Sequence, residues 1–149
     1  MTHNVRRAKL EDLEKLVEFT LSEASEAEGI VKNTEKVREG ILTALKDESV
    51  AIYWVMENDG QIIGNVSVVK EWSDWNAGYY WWIQSMYLDP KYRGQGLMKS
   101  LLQTVKELAA QQRTLELRLY VHKDNERATK AYLKSGFTNS DYRVMVIGI

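Results

Sequence analysis

Apolar and charged positions alternate at helical spacing near the start of the chain. Leu10, Leu13, Leu16, Val17 and Leu21 recur every three or four residues, with Glu11, Asp12, Glu14 and Lys15 between them. That spacing predicts an amphipathic helix. Asn33 and Thr34 can cap a second helix that carries Val37, Ile41 and Leu45. Residues 22–32, with Glu23, Glu26 and Glu28, are expected to join the two helices. The pattern then turns β-branched and aromatic. Residues 50–56 and 61–70 read as strands joined by the turn Asn58-Asp59-Gly60. Residues 72–78 read as a loop, and residues 79–88 as a third, aromatic strand closed by Asp89-Pro90. Leu97, Met98, Leu101, Leu102, Val105, Leu108 and Ala109 mark another amphipathic helix, and residues 115–121 alternate with the period of a strand. Asp124 or Asn125 can cap a helix bearing Ala128, Ala131 and Tyr132, which Ser135-Gly136 should stop. Residues 142–147 read as a last strand.

The expected order is helix, helix, three strands, helix, strand, helix, strand. Early hairpins followed by β-α-β crossovers predict an α+β domain with a mixed sheet and helices packed on it. Composition narrows the class. The chain has 149 residues, 44% of them hydrophobic, enough for one domain with a real core. Its single proline and nine glycines are thinly spread, so residues 1–149 read as one unit without linker or repeat. Twenty basic residues against 21 acidic ones leave a net charge of -1, which argues against a nucleic-acid partner. The absence of cysteine removes disulfides, thiolate metal sites and a cysteine nucleophile, and no metal cluster is visible. The longest apolar run, residues 50–56, is far below the ~18 residues of a membrane span. The first residues lack a secretory pattern, so the expectation is a cytoplasmic protein without a membrane partner.

The sharpest local motif is Tyr92-Arg93-Gly94-Gln95-Gly96-Leu97-Met98, placed between a strand end and a helix start. Two glycines let the backbone approach a ligand, a helix N-terminus offers unpaired N–H groups, and Arg93 adds a cationic donor; together these suit a phosphate. A plain strand-to-helix turn would use the same residues. No Gly-Lys-Ser/Thr follows, so it is not a P-loop. The second motif runs Asn125, Ala128, Tyr132, Gly136, Phe137. Read alone, it is a capped helix whose Tyr132 is a core aromatic with its hydroxyl at the surface.

In this order and at this distance, the two motifs resemble the GCN5-related N-acetyltransferase (GNAT) superfamily. Its pyrophosphate loop, Arg/Gln-x-x-Gly-x-Gly/Ala, falls on Arg93, Gly96 and Met98, with Met98 departing from the usual small residue. Leu88-Asp89-Pro90 matches its strand-end Val-x-Pro, and Asn125…Ala128…Tyr132…Gly136-Phe137 matches its later segment. The resemblance implies a mostly antiparallel sheet splayed near its middle, with helices on both faces. It implies acetyl-coenzyme A as co-substrate, its pantetheine arm along Met86, Tyr87 and Leu88. Its pyrophosphate would lie on N–H groups of Gly94, Gln95, Gly96, Leu97, Met98 and Lys99, beside Arg93. Asn125 would lie near the arm, and Tyr132 would protonate the leaving thiolate. It also implies pairing into dimers, which is common among small members.

The general base is not legible in this way, because residues 79–88 contain no acid. Gln84 and Ser85 could position a water, whereas Glu71 and Asp74 upstream read as solvated loop acids. Trp54, Trp72, Trp75, Trp81, Trp82, Tyr79 and Tyr80 form an aromatic group. Alternation sets Tyr80, Trp82 and Gln84 on one side and Tyr79, Trp81 and Ile83 on the other. One set should be core; the other could wall a pocket in which a cationic amine gains roughly 0.5–2 kcal/mol over the rings. Glu23, Glu26 and Glu28 could attract a cationic acceptor or simply end a helix in solvent. His3, near the start of the sequence, reads as inert, and His122 as a surface or structural residue. The leading expectation is acetyl transfer to a primary amine of a small molecule, with Tyr132 and Gln84 as catalytic candidates. The alternatives are acetylation of a protein N-terminus or lysine, and a non-catalytic acyl-coenzyme A sensor.

Overall fold

The computed structural model describes residues 3–149. The described residues form one sheet whose strands lie side by side in chain order: β1 (His3–Arg7), β2 (Ile52–Asn58), β3 (Gln61–Ser73), β4 (Gly78–Leu88) and β5 (Leu117–Leu119). The first four are antiparallel, and β5 joins β4 in parallel. The helices are α1 (Leu13–Glu28), α2 (Thr34–Lys46), α3 (Leu97–Gln111) and α4 (Glu126–Lys134). This is the expected α+β architecture. No helix among the described residues is long and apolar enough to cross a membrane.

Two clusters hold the sheet between its helices. Leu97, Leu101, Leu102, Val105 and Ala109 make one stripe along α3, packed with Trp54, Met56, Ile63, Val66, Val68, Trp81 and Ile83. Val55, between Trp54 and Met56 on β2, points the other way and packs with Leu16 and Val17 of α1 and Ile41 of α2. The β2–β3 hairpin turns at Asp59 and Gly60, both at positive φ (51° and 80°), which is the twist a two-residue hairpin needs.

Two departures from regular pairing shape the middle of the sheet. Ser67 pairs with Ser85 but Val68 pairs with Ile83, so Gln84 has no partner and forms a bulge. The bulge switches the side-chain parity: Trp81 and Ile83, then Met86 and Leu88, pack toward α3. The alternation expected over residues 79–84 therefore does not continue beyond the bulge, where Met86 and Leu88 take the α3 side. The second departure is the splay. β5 pairs only with Trp81, Trp82 and Ile83, so β4 runs on from Gln84 to Leu88 without a neighbour on that side.

Several boundaries differ from the sequence expectation. A strand at residues 3–7 was not expected, because His3, Asn4, Arg6 and Arg7 are polar; it is an edge strand fastened by Arg6. The Arg6 fork donates to both Asp12 oxygens (2.8 and 3.0 Å) and its Nε donates to Glu57 (2.7 Å). α1 continues to Glu28 and stops at Gly29, whose φ of 65° ends the helix. Glu23, Glu26 and Glu28 thus lie on its last turns, not in a joining segment. β3 runs through Trp72 and Ser73, which were expected in a loop. β5 has three residues where seven alternate in the sequence. Residues 142–147, expected as a strand, pair with no strand among the described residues and have no regular structure.

Candidate active site

The splay opens beside the free part of β4. Glu23 reaches it from the last turns of α1, where its Oε2 accepts the N–H of Met86 at 2.8 Å. Burial pushes this carboxyl up to about 7; the Met86 N–H opposes that rise, and the charges of Glu26 and Glu28 add to it. Behind it lies a buried polar cluster: Asn65 Nδ2 donates to Ser85 Oγ (3.2 Å), and Ser67 and Ser85 share a 2.7 Å hydroxyl bond. Burial raises the Tyr53 hydroxyl above its ordinary range, Ser67 opposes the shift, and the Glu23 charge adds to it.

Tyr132 comes to this region from α4. Asn125 caps that helix, accepting the Ala128 N–H at 3.1 Å. Tyr132 sits edge-on to Phe137, 5.6 Å between centroids. Burial raises its phenol first, and the Glu23 charge raises it further. A phenol so placed stays protonated at neutral pH, which is the state a proton donor needs.

The loop after β4 has the form the sequence suggests. Gly94 and Gly96 hold φ of 79° and 78°, and added Cβ atoms there would meet nothing within 4 Å. The site is open enough for a bulky ligand to lie against bare backbone. Gly96 is the N-cap of α3, so the N–H groups of the first turn face the loop without intrahelical acceptors. Met98 does not crowd this loop, because its side chain packs on the α3 core. Arg93 donates to the Leu88 carbonyl (3.0 Å) and to Glu26 (2.8 Å) and lies over the Tyr87 ring at 5.2 Å. It is directed at the end of β4 and at α1 rather than at the glycine loop. Gln84 is exposed at the bulge.

The aromatic group divides differently from the expectation of an amine-binding wall. Trp81 is core, stacked on Trp54 at 5.9 Å. The Tyr80 face carries the Arg118 guanidinium at 3.5 Å, and Trp82 stacks on Tyr120 at 4.4 Å. Lys70 lies over Tyr79 and Trp81. The rings have cations of the chain itself. Trp72 and Trp75 project into solvent, Trp75 with 85% of its surface exposed. Glu71 pairs with Arg118 at 3.4 Å and is spoken for. Of the acids, Glu23 is the one brought to β4, and only its place on an extended α1, less than two turns before Gly29, signals it in the sequence. No group of three or more His, Asp or Glu among the described residues is placed to hold a metal.

These elements make an α+β domain whose sheet splays beside a bare glycine loop at the N-terminus of the following helix, and comparison with known proteins gives the family. The family model "Acetyltransferase (GNAT) family" matches residues 13–137, and the chain belongs to that family. It is similar to the crystal structure of a possible acetyltransferase from Clostridium difficile 630, with 28% identity, 100% of this chain and 99% of that one covered, and a TM-score of 0.95. It is also similar in fold to a predicted acetyltransferase with acetyl-CoA from Clostridium acetobutylicum (22% identity, 98% and 96% covered, TM-score 0.76). A PaiA N-acetyltransferase from Thermoplasma acidophilum in complex with coenzyme A shares the fold as well (22% identity, 96% and 94% covered, TM-score 0.77). No curated protein matches the chain.

Proposed function

We propose that this acetyltransferase moves an acetyl group from acetyl-coenzyme A to a primary amine of a small molecule, by direct attack in a ternary complex. One observation carries the reading: at the edge of β4 left free by β5, the Glu23 carboxyl accepts the N–H of Met86 at 2.8 Å. In this reading the pantetheine arm lies along Met86, Tyr87 and Leu88, with Asn125 beside it. The N–H groups of Gly94, Gln95, Gly96, Leu97, Met98 and Lys99 take the pyrophosphate, and Arg93 turns from Glu26 toward it.

The chemistry assigns one task to each group. The thioester oxygen takes over the Met86 N–H, which then stabilises the developing oxyanion. Glu23, released from that bond, takes the proton that the acceptor ammonium must lose before the neutral amine attacks, directly or through a water held by Gln84. The new C–N bond forms, the C–S bond breaks, and Tyr132 gives its proton to the departing thiolate. Glu23, Glu26 and Glu28 favour a cationic acceptor, and they supply the attraction that the occupied aromatic faces do not.

The test is a thermal shift with acetyl-coenzyme A against adenosine diphosphate, followed by an amine screen read as free thiol. Ligand at ~100 times its Kd stabilises by ~2.7 kcal/mol. A shift specific to acetyl-coenzyme A with thiol release on small amines is the expected result. Release only with peptides would move the acceptor to a protein N-terminus or lysine, and a shift without any release would make the chain a sensor.

A further inference from the structure

We propose that Tyr53 is a positioning residue for acetyl transfer: when the thioester takes the Met86 N–H, the Tyr53 hydroxyl donates to the Glu23 carboxylate and holds it at the free edge of β4. The inference rests on the reading of Glu23 as the base. Among the described residues, the Met86 N–H is the one hydrogen-bond donor to the Glu23 carboxyl. The thioester oxygen would claim that same N–H. A buried carboxylate that loses its donor and gains no other is strongly disfavoured.

The sheet carries a replacement. Strand pairing sets Tyr53 opposite Ser67, and Ser67 opposite Ser85. The three form a row across β2, β3 and β4 that ends one residue before Met86. The row lies on the face that α1 covers. Tyr53 packs on the cluster of Leu16, Val17, Ile41 and Val55, whereas Val66 and Val68, on either side of Ser67, point to the α3 core. Glu23 lies two turns after Leu16, on the same side of α1.

The row is also a hydrogen-bonded chain. Asn65 Nδ2 donates to Ser85 Oγ (3.2 Å), and Ser85 and Ser67 share the 2.7 Å bond. The Ser67 and Ser85 hydroxyls both reach the Tyr53 hydroxyl. With Asn65 donating at one end, Ser85 can donate to Ser67 and Ser67 to Tyr53. The Tyr53 O–H is then the donor left over at the other end. Burial keeps that phenol protonated at neutral pH. The fold alone does not call for such a row. Asn65, Ser67 and Ser85 expose 0%, 0% and 7% of their surface, and Asn65 Oδ1 is buried with no partner among the described residues. Valines would pack there without desolvating an amide and two hydroxyls, and departures of this kind gather at functional sites.

A titration of Glu23 itself tests the proposal, and it needs no acceptor. The titratable groups around Glu23 are Glu26 and Glu28 on α1, Tyr53 on β2 and Tyr132 on α4; Tyr87 and Arg93 both bond to Glu26. The full chain, carrying carbon-13 in its glutamate carboxyl groups, is followed by NMR against pH, and Glu23→Gln identifies the Glu23 signal by its loss. Wild type and Tyr53→Phe are compared with and without acetyl-coenzyme A. The variant keeps the ring that packs under α1 and loses only the hydroxyl. Without acetyl-coenzyme A the Met86 N–H holds the carboxylate in both proteins, and the two should titrate together. With acetyl-coenzyme A, Glu23 of the variant should bind its proton about tenfold more tightly than Glu23 of the wild type, the effect of one lost hydrogen bond to a charged group. An equal response of both proteins to acetyl-coenzyme A would overturn the role of Tyr53 and leave Glu23 standing as the base. No response in either would mean that Glu23 keeps the Met86 N–H, which overturns the displacement and the reading beneath it. A difference already present without acetyl-coenzyme A would make Tyr53 part of the resting site, not the donor that replaces Met86.

Discussion

Every buried residue among those described falls between Asp12 and Ala109; residues 110–149 contain none. The two regions differ little in what they are made of. Leu115, Leu117, Leu119, Val121, Leu133, Phe137, Val144, Val146 and Ile147 are as apolar as the residues that fill the α3 face. They differ in partners. α3 lays its stripe against three strands, whereas α4 buries no residue and β5 has one neighbour. The glycine loop and Glu23 belong to the first region, and Tyr132 to the second. The proposed active site thus joins a scaffold that carries its own core to a segment that does not.

The largest effect that would break this contrast is a core truncation. Leu101 is fully buried, so Leu101→Ala should cost about 2–5 kcal/mol in urea unfolding, the usual range for a buried leucine. A cost below 1 kcal/mol would mean that the α3 stripe is not the main anchor. Next in size is catalysis. Tyr132→Phe should lower kcat by roughly a hundredfold while the affinity for coenzyme A stays within about twofold. A matching loss of affinity would make Tyr132 a wall of the cleft rather than its proton donor.

Glu23 gives a smaller, pH-dependent effect on stability. Its folded value of about 7 lies above the ordinary 4.5. The folded state therefore holds the proton longer than the unfolded chain does. The associated stability is complete below about 4.5 and is lost as pH rises through about 7. Glu23→Gln keeps an oxygen for the Met86 N–H and removes the buried charge. At pH 8 the variant should be more stable than the wild type by about 1–3 kcal/mol, with no difference at pH 4. Its kcat/KM should lose the limb that rises through neutral pH in the wild type. Equal stability at both pH values would remove the carboxylate from the cleft.

How much of this was legible in the sequence follows the same division. Caps and turns are short-range chemistry, so the Asn33 cap, the helix start near Gly96 and the Asp59-Gly60 turn were readable, and the α4 cap to within Asp124 or Asn125. The glycine turn before α3 and the place of Tyr132 on a capped helix were readable for the same local reason. β1 was not, because an edge strand of polar residues carries no alternation and depends on Arg6 finding Asp12 and Glu57. Glu23 was not, because its burial arises from α1 lying on β4, a contact 63 residues apart in the chain. Arg118 filling the Tyr80 face is of the same kind. Residues 142–147 were read as a strand from their composition. Composition reports that a segment wants a neighbour and is silent on which molecule provides it.

The smallest effect sharpens the comparison furthest. Leu133 is about half exposed on α4 and lines a groove beside β5. In a single chain it resembles any surface leucine, and Leu133→Ala should change stability by less than about 0.5 kcal/mol. If the pairing that the family resemblance implies fills the groove with a second copy, the same side chain is core in the dimer. Its truncation then costs more as protein concentration rises, because association adds to stability by mass action. Differential scanning calorimetry from about 5 to 200 μM should show the wild-type Tm climbing while the Leu133→Ala Tm climbs less. Leu101→Ala should instead run parallel to the wild type, displaced downward by a constant amount. Parallel curves for both variants would mean that residues 110–149 stay uncovered at every concentration. The contrast between the two regions would then belong to the chain alone.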